Sequence, residues 1–130
     1  MSETHGKIWW SELMTRDVEA AKAYYAATCG WTFEDMPMEG GEDYHCAMLG
    51  GQPTAGIMDL ADLPGTDDLP AHWFTYIAVD DVDAAVKSTE AAGGTIIRAP
   101  FDVANVGRIA ILTDPTGAAL GLMTPAAQSA

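Results

Sequence analysis

The strongest constraint on this chain is that it repeats itself. Asp17-Val18-Glu19-Ala20-Ala21 recurs as Asp81-Val82-Asp83-Ala84-Ala85, an offset of 64 residues, and at the same offset Ala27 matches Ala91 and Gly30 matches Gly94. Gly56-Ile57-Met58 matches Gly121-Leu122-Met123 at an offset of 65, so the copies differ by one residue of loop length. A chain made of two copies of one unit is limited to folds that the unit itself can build. The 130 residues are also too few for two independent cores, so the expectation is a single domain. Module one runs from about 7 to 61 and module two from about 71 to 124. Residues 62–70, rich in Pro, Gly and Asp, read as the linker.

Each copy reads in the same order. Lys7 to Met14 and Trp73 to Val79 carry the aromatic and branched residues of strands. Asp17 and Asp81 follow as helix N-caps, the first for Val18 to Thr28 and the second for Val82 to Ala92. Alanine favours both helices, and Gly30 and Gly93-Gly94 stop them. Three shorter strands complete each copy: Trp31 to Asp35, Tyr44 to Leu49 and Thr54 to Asp59, then Thr95 to Ala99, Arg108 to Thr113 and Ala119 to Met123. The fold class is α+β, a β-α-β-β-β unit used twice. Val18, Ala21 and Tyr25, and likewise Val82 and Ala85, read as the helix stripes that pack on the sheet. Trp9, Trp31 and Trp73 read as core, with the methionines filling gaps, and Cys29 and Cys46 as buried reduced thiols.

Charge excludes two classes of partner. Nineteen acidic residues face six Lys and Arg, a net charge of −13. No basic patch is available for a phosphate backbone or an anionic membrane surface, and no apolar run approaches the roughly 20 residues that span a bilayer. The first residues lack the pattern of a signal peptide, which implies a cytoplasmic protein. The acids cluster beside Gly and Pro (Glu34, Asp35, Glu39, Glu42, Asp43; Asp59, Asp62, Asp67, Asp68; Asp80, Asp81, Asp83), as in solvated loops.

The duplicated β-α-β-β-β unit, the Asp-Val-x-Ala-Ala helix start, and the Asp114-Pro115-Thr116-Gly117 turn before the last strand resemble the vicinal oxygen chelate superfamily, which comprises glyoxalase I, bleomycin resistance proteins and extradiol dioxygenases. The resemblance covers about Lys7 to Met123 and implies tandem modules forming curled mixed sheets around a cup. In the enzymes a metal sits in that cup. The resemblance puts its ligands seven residues before each helix-capping Asp, at Trp10 and Phe74, and at Gly121 with its repeat partner Gly56. None of these offers the N or O donors that a divalent ion needs. The expectation is no cofactor, with a divalent metal disfavoured.

Alternation along the first strand sends Trp10, Glu12 and Met14 to one face and Trp9, Ser11 and Leu13 to the other. With Trp10 at a ligand position, the first set lines the cup. Phe74 and Tyr76 do so in the second module, with Trp73, Thr75 and Ile77 beneath the helix. Gly56 and Gly121 would open room, giving an aromatic cup of the kind that takes small molecules. The expected lining is Trp10, Glu12, Met14, Tyr44, His45, Gly56, Met58, Phe74, Tyr76, Arg108, Gly121 and Met123. Tyr44 could face either side. Glu12 reads as a cavity carboxylate suited to proton transfer, or as a surface carboxylate or one paired with Arg108, which in turn could hold an anionic ligand. A metal site from Glu12, His45 and His72 is a further arrangement the sequence allows. Three functions follow. One is a binding protein of the bleomycin-resistance type that takes a small aromatic or amphipathic molecule in a metal-free cup. Another is a lyase or dioxygenase-like enzyme using Glu12 as acid or base, or an atypical metal site. The third is a fold-only module that acts through association with other proteins. A homodimer is a reasonable expectation.

Overall fold

The structure is a computed structural model and describes residues 3–37, 43–62, 69–103 and 106–126. Residues 63–68 of the expected linker, the acids Glu39, Glu42, Asp67 and Asp68, the Gly40-Gly41 turn and Asn105 lie outside the described residues. The elements are β1 (Ile8–Thr15), α1 (Val18–Cys29), β2 (Thr32–Pro37), β3 (Asp43–Leu49), β4 (Gln52–Asp59), β5 (His72–Ala78), α2 (Val82–Ala91), β6 (Thr95–Val103), β7 (Gly107–Thr113) and β8 (Ala119–Pro125). This is the β-α-β-β-β order, twice, in an α+β fold.

The described chain forms two compact units, Trp10–Phe74, and Thr75 onward together with the segment up to Trp9. In the first, the strand order is β2-β3-β4-β1, with β1 parallel to β4 and the other pairs antiparallel. The second repeats the plan as β6-β7-β8-β5, with β5 parallel to β8. Each parallel pair needs a crossover, which the helix of that copy supplies.

The capping residues explain where the helices begin. Asp17 Oδ1 accepts from the Ala20 N–H at 3.0 Å, and Asp81 Oδ1 from Asp83 and Ala84 at 3.0 and 3.2 Å. Gly30 ends α1 at φ 75°, which a side chain would resist. In the second copy the two glycines divide the work. Gly93 carries the positive φ of 97°, whereas Gly94 is there for space, since a methyl group on it would sit 2.6 Å from the Thr113 carbonyl oxygen and from Thr89 Cγ2. Asp114 builds the late turn by accepting from Thr116 N–H (2.8 Å), Thr116 Oγ1 (2.6 Å) and Ala118 N–H (3.1 Å).

Pairing register fixes which side chains share a face. In the first unit Leu13, Ala47, Ala55 and Ile57 are buried on the helix side, and Met14, Cys46 and Met58 on the other. In the second unit Ala110, Leu112 and Val82 are buried on the helix side. Three expectations are corrected. No residue of α1 is buried, and its Val18, Ala21 and Tyr25 stripe is only half-buried, because the small alanine side chains let the helix lie on the sheet without engulfing it. Trp9 and Trp73 are 36% and 41% exposed. Trp73 packs edge-on against Tyr25, which stacks on Trp31 at 5.2 Å, and the Trp73 indole N–H donates to the Tyr25 hydroxyl at 3.2 Å. That acceptor at the surface draws the indole there. Cys29 is exposed, while Cys46 is buried.

Candidate functional site

On the face of the first unit turned away from its helix, one transverse row of paired residues runs Glu12, Gly56, Cys46, Glu34 across β1, β4, β3 and β2. Trp10 and Tyr44 close over it. The Trp10 indole N–H donates to the Tyr44 hydroxyl at 2.8 Å. A methyl group on Gly56 would run into that hydroxyl and sit 3.1 Å from Trp10 Nε1. The expectation that Gly56 opens room in the cup is corrected: the Tyr44 phenol occupies that place. Glu12 is 7% exposed, and its carboxylate together with burial pushes the Tyr44 phenol well above its ordinary pKa, burial being the larger cause. The phenol thus stays protonated, and since indole can only donate, the Tyr44 oxygen is the acceptor of that bond. Burial, with Glu34 nearby, also pushes the Cys46 thiol up, so it is not a ready thiolate.

The second unit carries the corresponding row: Tyr76, Gly121, Ile111, Arg98 across β5, β8, β7 and β6. Here too the glycine is filled, because a methyl group on Gly121 would strike the Tyr76 ring. Tyr76 and Met123 are buried. Arg98, at the far end, lies over the Phe101 ring with its guanidinium carbon 3.6 Å from the ring centroid.

Register brings Trp10, Glu12, Met14, Tyr44, Gly56 and Met58 onto one face in the first unit, and Tyr76, Gly121 and Met123 onto one face in the second. Phe74 is buried, 7% exposed. Two residues of the expected lining are elsewhere. His45 pairs with Ile57 and Asp35, on the helix side; its Nδ1 lies 2.6 Å from Asp35 Oδ1, which also takes Lys22 Nζ at 3.0 Å. Those two partners hold the Asp35 carboxyl below its ordinary range. Arg108 is also on the helix side. It grips Asp83 of α2 with Nε and Nη2 at 2.9 and 3.1 Å and Asp102 with Nη1 at 3.2 Å, so its charge is engaged and Glu12 is not its partner among these bonds. The fork depresses the Asp83 carboxyl. Arg98 and Phe101 are residues that sequence reading passed over. The repeat offset of 64, which maps Glu34 onto Arg98, was the available signal.

The metal implied by resemblance does not fit. Trp10 and Phe74 carry no lone pair for an ion, Gly56 and Gly121 have no side chain, and both glycine places are filled by tyrosines. The alternative set of Glu12, His45 and His72 is not assembled: His45 is on the helix side, and the His72 ring donates from Nδ1 to the Pro70 carbonyl at 2.8 Å. Among the described residues no three His, Cys, Asp or Glu side chains gather where an ion could sit. A cleft of about 500 Å³ in the second unit, lined by Thr4, Trp9, Val79, Asp80 and Thr124–Ala126, includes none of the expected lining. No helix among the described residues is long and apolar enough to cross a membrane.

Comparison with known proteins gives the family and the fold. CFP32 of Mycobacterium bovis, provisionally named a glyoxylase, is 44% identical over 115 residues, covering 87% of this chain and 43% of that protein. The anthracycline biosynthesis protein DnrV of Streptomyces peucetius is 35% identical over 123 residues, covering 87% and 45%. The chain thus spans less than half the length of these relatives. Methylmalonyl-CoA epimerase from Mycobacterium tuberculosis shares the fold, with a TM-score of 0.67 at 16% identity over 98% of this chain and 93% of that one. Residues 7–122 match the Glyoxalase/Bleomycin resistance protein/Dioxygenase superfamily. With the duplicated β-α-β-β-β unit and these relatives, the chain belongs to that superfamily.

Proposed function

We propose that the chain is a small-molecule-binding member of this superfamily that works without a resident metal, and that its ligand is small and aromatic or amphipathic. The observation that carries the reading is the Trp10–Tyr44 pair. At a position where the superfamily resemblance puts a metal ligand, this chain has an indole hydrogen-bonded to a phenol, both half-exposed above a buried carboxylate. An aromatic surface with a few fixed polar atoms is how small-molecule sites are built. A relative named for anthracycline biosynthesis lends support to an aromatic ligand. Cytoplasmic location and a homodimer belong to the same proposal. The test is a thermal-shift screen against small aromatic acids, alcohols and amines, repeated with Trp10→Ala and with Lys87→Ala as a surface control. The reading expects at least one stabilising compound whose shift is lost in Trp10→Ala and kept in Lys87→Ala. A shift unchanged in Trp10→Ala rejects it.

Glu12 favours a second reading, in which the bound molecule is also transformed. A carboxylate 7% exposed beside a protonated phenol is suited to accept or deliver a proton, the step shared by lyase-like chemistry. For any compound found to turn over, Glu12→Gln would lower kcat by about 100-fold or more while leaving the binding shift in place. Unaltered turnover would remove the role.

A further inference from the structure

In the second unit, β6 is irregular on both sides of a cation, Arg98. In a regular strand, residues two apart share a face and residues three apart do not. On β6, Ile96 pairs with Leu112, Arg98 with Ile111 and Phe101 with Ile109, so the register slips on both sides of Arg98. Leu112 is buried on the helix side, whereas Ile111 pairs with Gly121 and Ile109 with Met123 on the other face. The first slip moves Arg98 off the helix side, where Ile96 lies. The second brings Phe101, three residues on, to the same face as Arg98, so that guanidinium and ring meet at 3.6 Å. Pro100, which has no N–H to give to the ladder, sits inside the second irregularity. Bulges of this kind re-aim side chains and recur beside binding sites.

Arg98 also differs from Lys22 and Arg108 in its partners. Lys22 and Arg108 are each taken up by two carboxylates. Arg98 is exposed and has no ion pair with a described carboxylate, in a chain with 19 acidic residues. Its guanidinium carbon lies over the Phe101 ring and the residue is exposed, so its N–H donors can be reached by a ligand. That is the arrangement for bidentate recognition of a planar anion.

We infer that Arg98, held on Phe101, is a carboxylate-recognition site, and that the ligand of this face is a small aromatic carboxylate whose acid group meets the guanidinium. This site lies within the second unit and is additional to the one proposed at Trp10 and Tyr44 of the first, so it goes beyond that reading, and the probes separate the two. Benzoate and benzyl alcohol have the same ring and differ in charge. Calorimetric titration of the whole chain with each is expected to give tighter binding of benzoate. Arg98→Gln should weaken benzoate by about tenfold or more and leave benzyl alcohol unchanged. Arg98→Lys, which keeps charge without the planar fork, should recover only part of the loss. Wild-type protein that binds both probes equally, or Arg98→Gln that binds benzoate as wild type does, overturns the inference while leaving small-molecule binding standing. Failure of both probes to bind also overturns the inference, and if the aromatic screen yields no hit either, the proposed small-molecule binding fails with it. Melting of Arg98→Gln within a degree or two of wild type would show that any lost binding is not lost folding.

Discussion

The two halves build the same face and give it opposite chemistry. Glu12, Gly56, Cys46 and Glu34 make the row of the first unit, and Tyr76, Gly121, Ile111 and Arg98 that of the second. Both rows have a glycine at the same place, and in both a tyrosine fills it. The tyrosines come from different strands, however. Tyr44 reaches Gly56 from β3 with the tip of its side chain, and its hydroxyl is tied to Trp10; Tyr76 lies on β5, directly paired with Gly121, and covers it with its ring. Both ends of the first row are acidic, while the second carries a cation. A duplicated scaffold therefore conserves backbone geometry and packing volume, because these set whether the sheet forms, and leaves charge on the outer row positions to vary.

The comparison can be broken most sharply at the tyrosines. Tyr76 is 8% exposed and fills its place from the root of the ring, so Tyr76→Ala should cost about 3–5 kcal/mol in denaturant unfolding. Tyr44→Ala should cost less, since Tyr44 is half-exposed. Equal losses would mean that the two faces are packed alike. Next come the glycines. Gly121→Ala should destabilise by about 1–3 kcal/mol, because the added methyl meets a ring held close to its own backbone. Gly56→Ala meets only the far end of Tyr44, which can swing aside, so its cost should be smaller and should appear as a change in Trp10 fluorescence. A larger cost for Gly56→Ala reverses the assignment of which tyrosine can move.

Tyr44→Phe removes the acceptor of the Trp10 indole without changing the ring. About 1 kcal/mol of stability should go with it. No change would mean that the indole N–H finds another acceptor at no cost.

The smallest effects are electrostatic and lie on the helix sides. Asp35 and Asp83 both have carboxyls held below the ordinary range, by His45 and Lys22 in one unit and by Arg108 in the other. A depressed folded-state pKa contributes stability that is present above the unfolded carboxylate value, near pH 4, and is lost as pH falls through the lower folded value. Acid unfolding of Asp83→Asn and Asp35→Asn should therefore show a shallower loss of stability below about pH 4 than wild type. A slope unchanged by either substitution would remove these pairs from the acid response.

Nearly all of the fold was legible in the sequence, because the repeat, the Asp caps and the glycine stops are local signals that tertiary context did not override. Of the candidate site, the first strand was legible: period-two alternation places Trp10, Glu12 and Met14 together. The rest needed pairing. On β3, Tyr44 and His45 are neighbours, and only register against β4 decides that the phenol goes to the Gly56 face and the imidazole to Asp35. Arg108 follows the same logic on β7, where pairing with Thr124 and Asp102 puts it beside Asp83 of α2. Arg98 and Phe101 were hidden for a different reason. Two slips of register interrupt the alternation that a sequence reader counts, so the residues that meet in space appear to face apart.

Metal analysis decides whether the protein binds small molecules without a resident metal. Protein purified without added ions is assayed by plasma mass spectrometry, before and after dialysis against Zn, Ni, Fe and Mn. Well under one ion per chain is the predicted result, together with an aromatic ligand shift that survives chelator. One tightly held ion per chain, with a ligand shift that chelator abolishes, would contradict it.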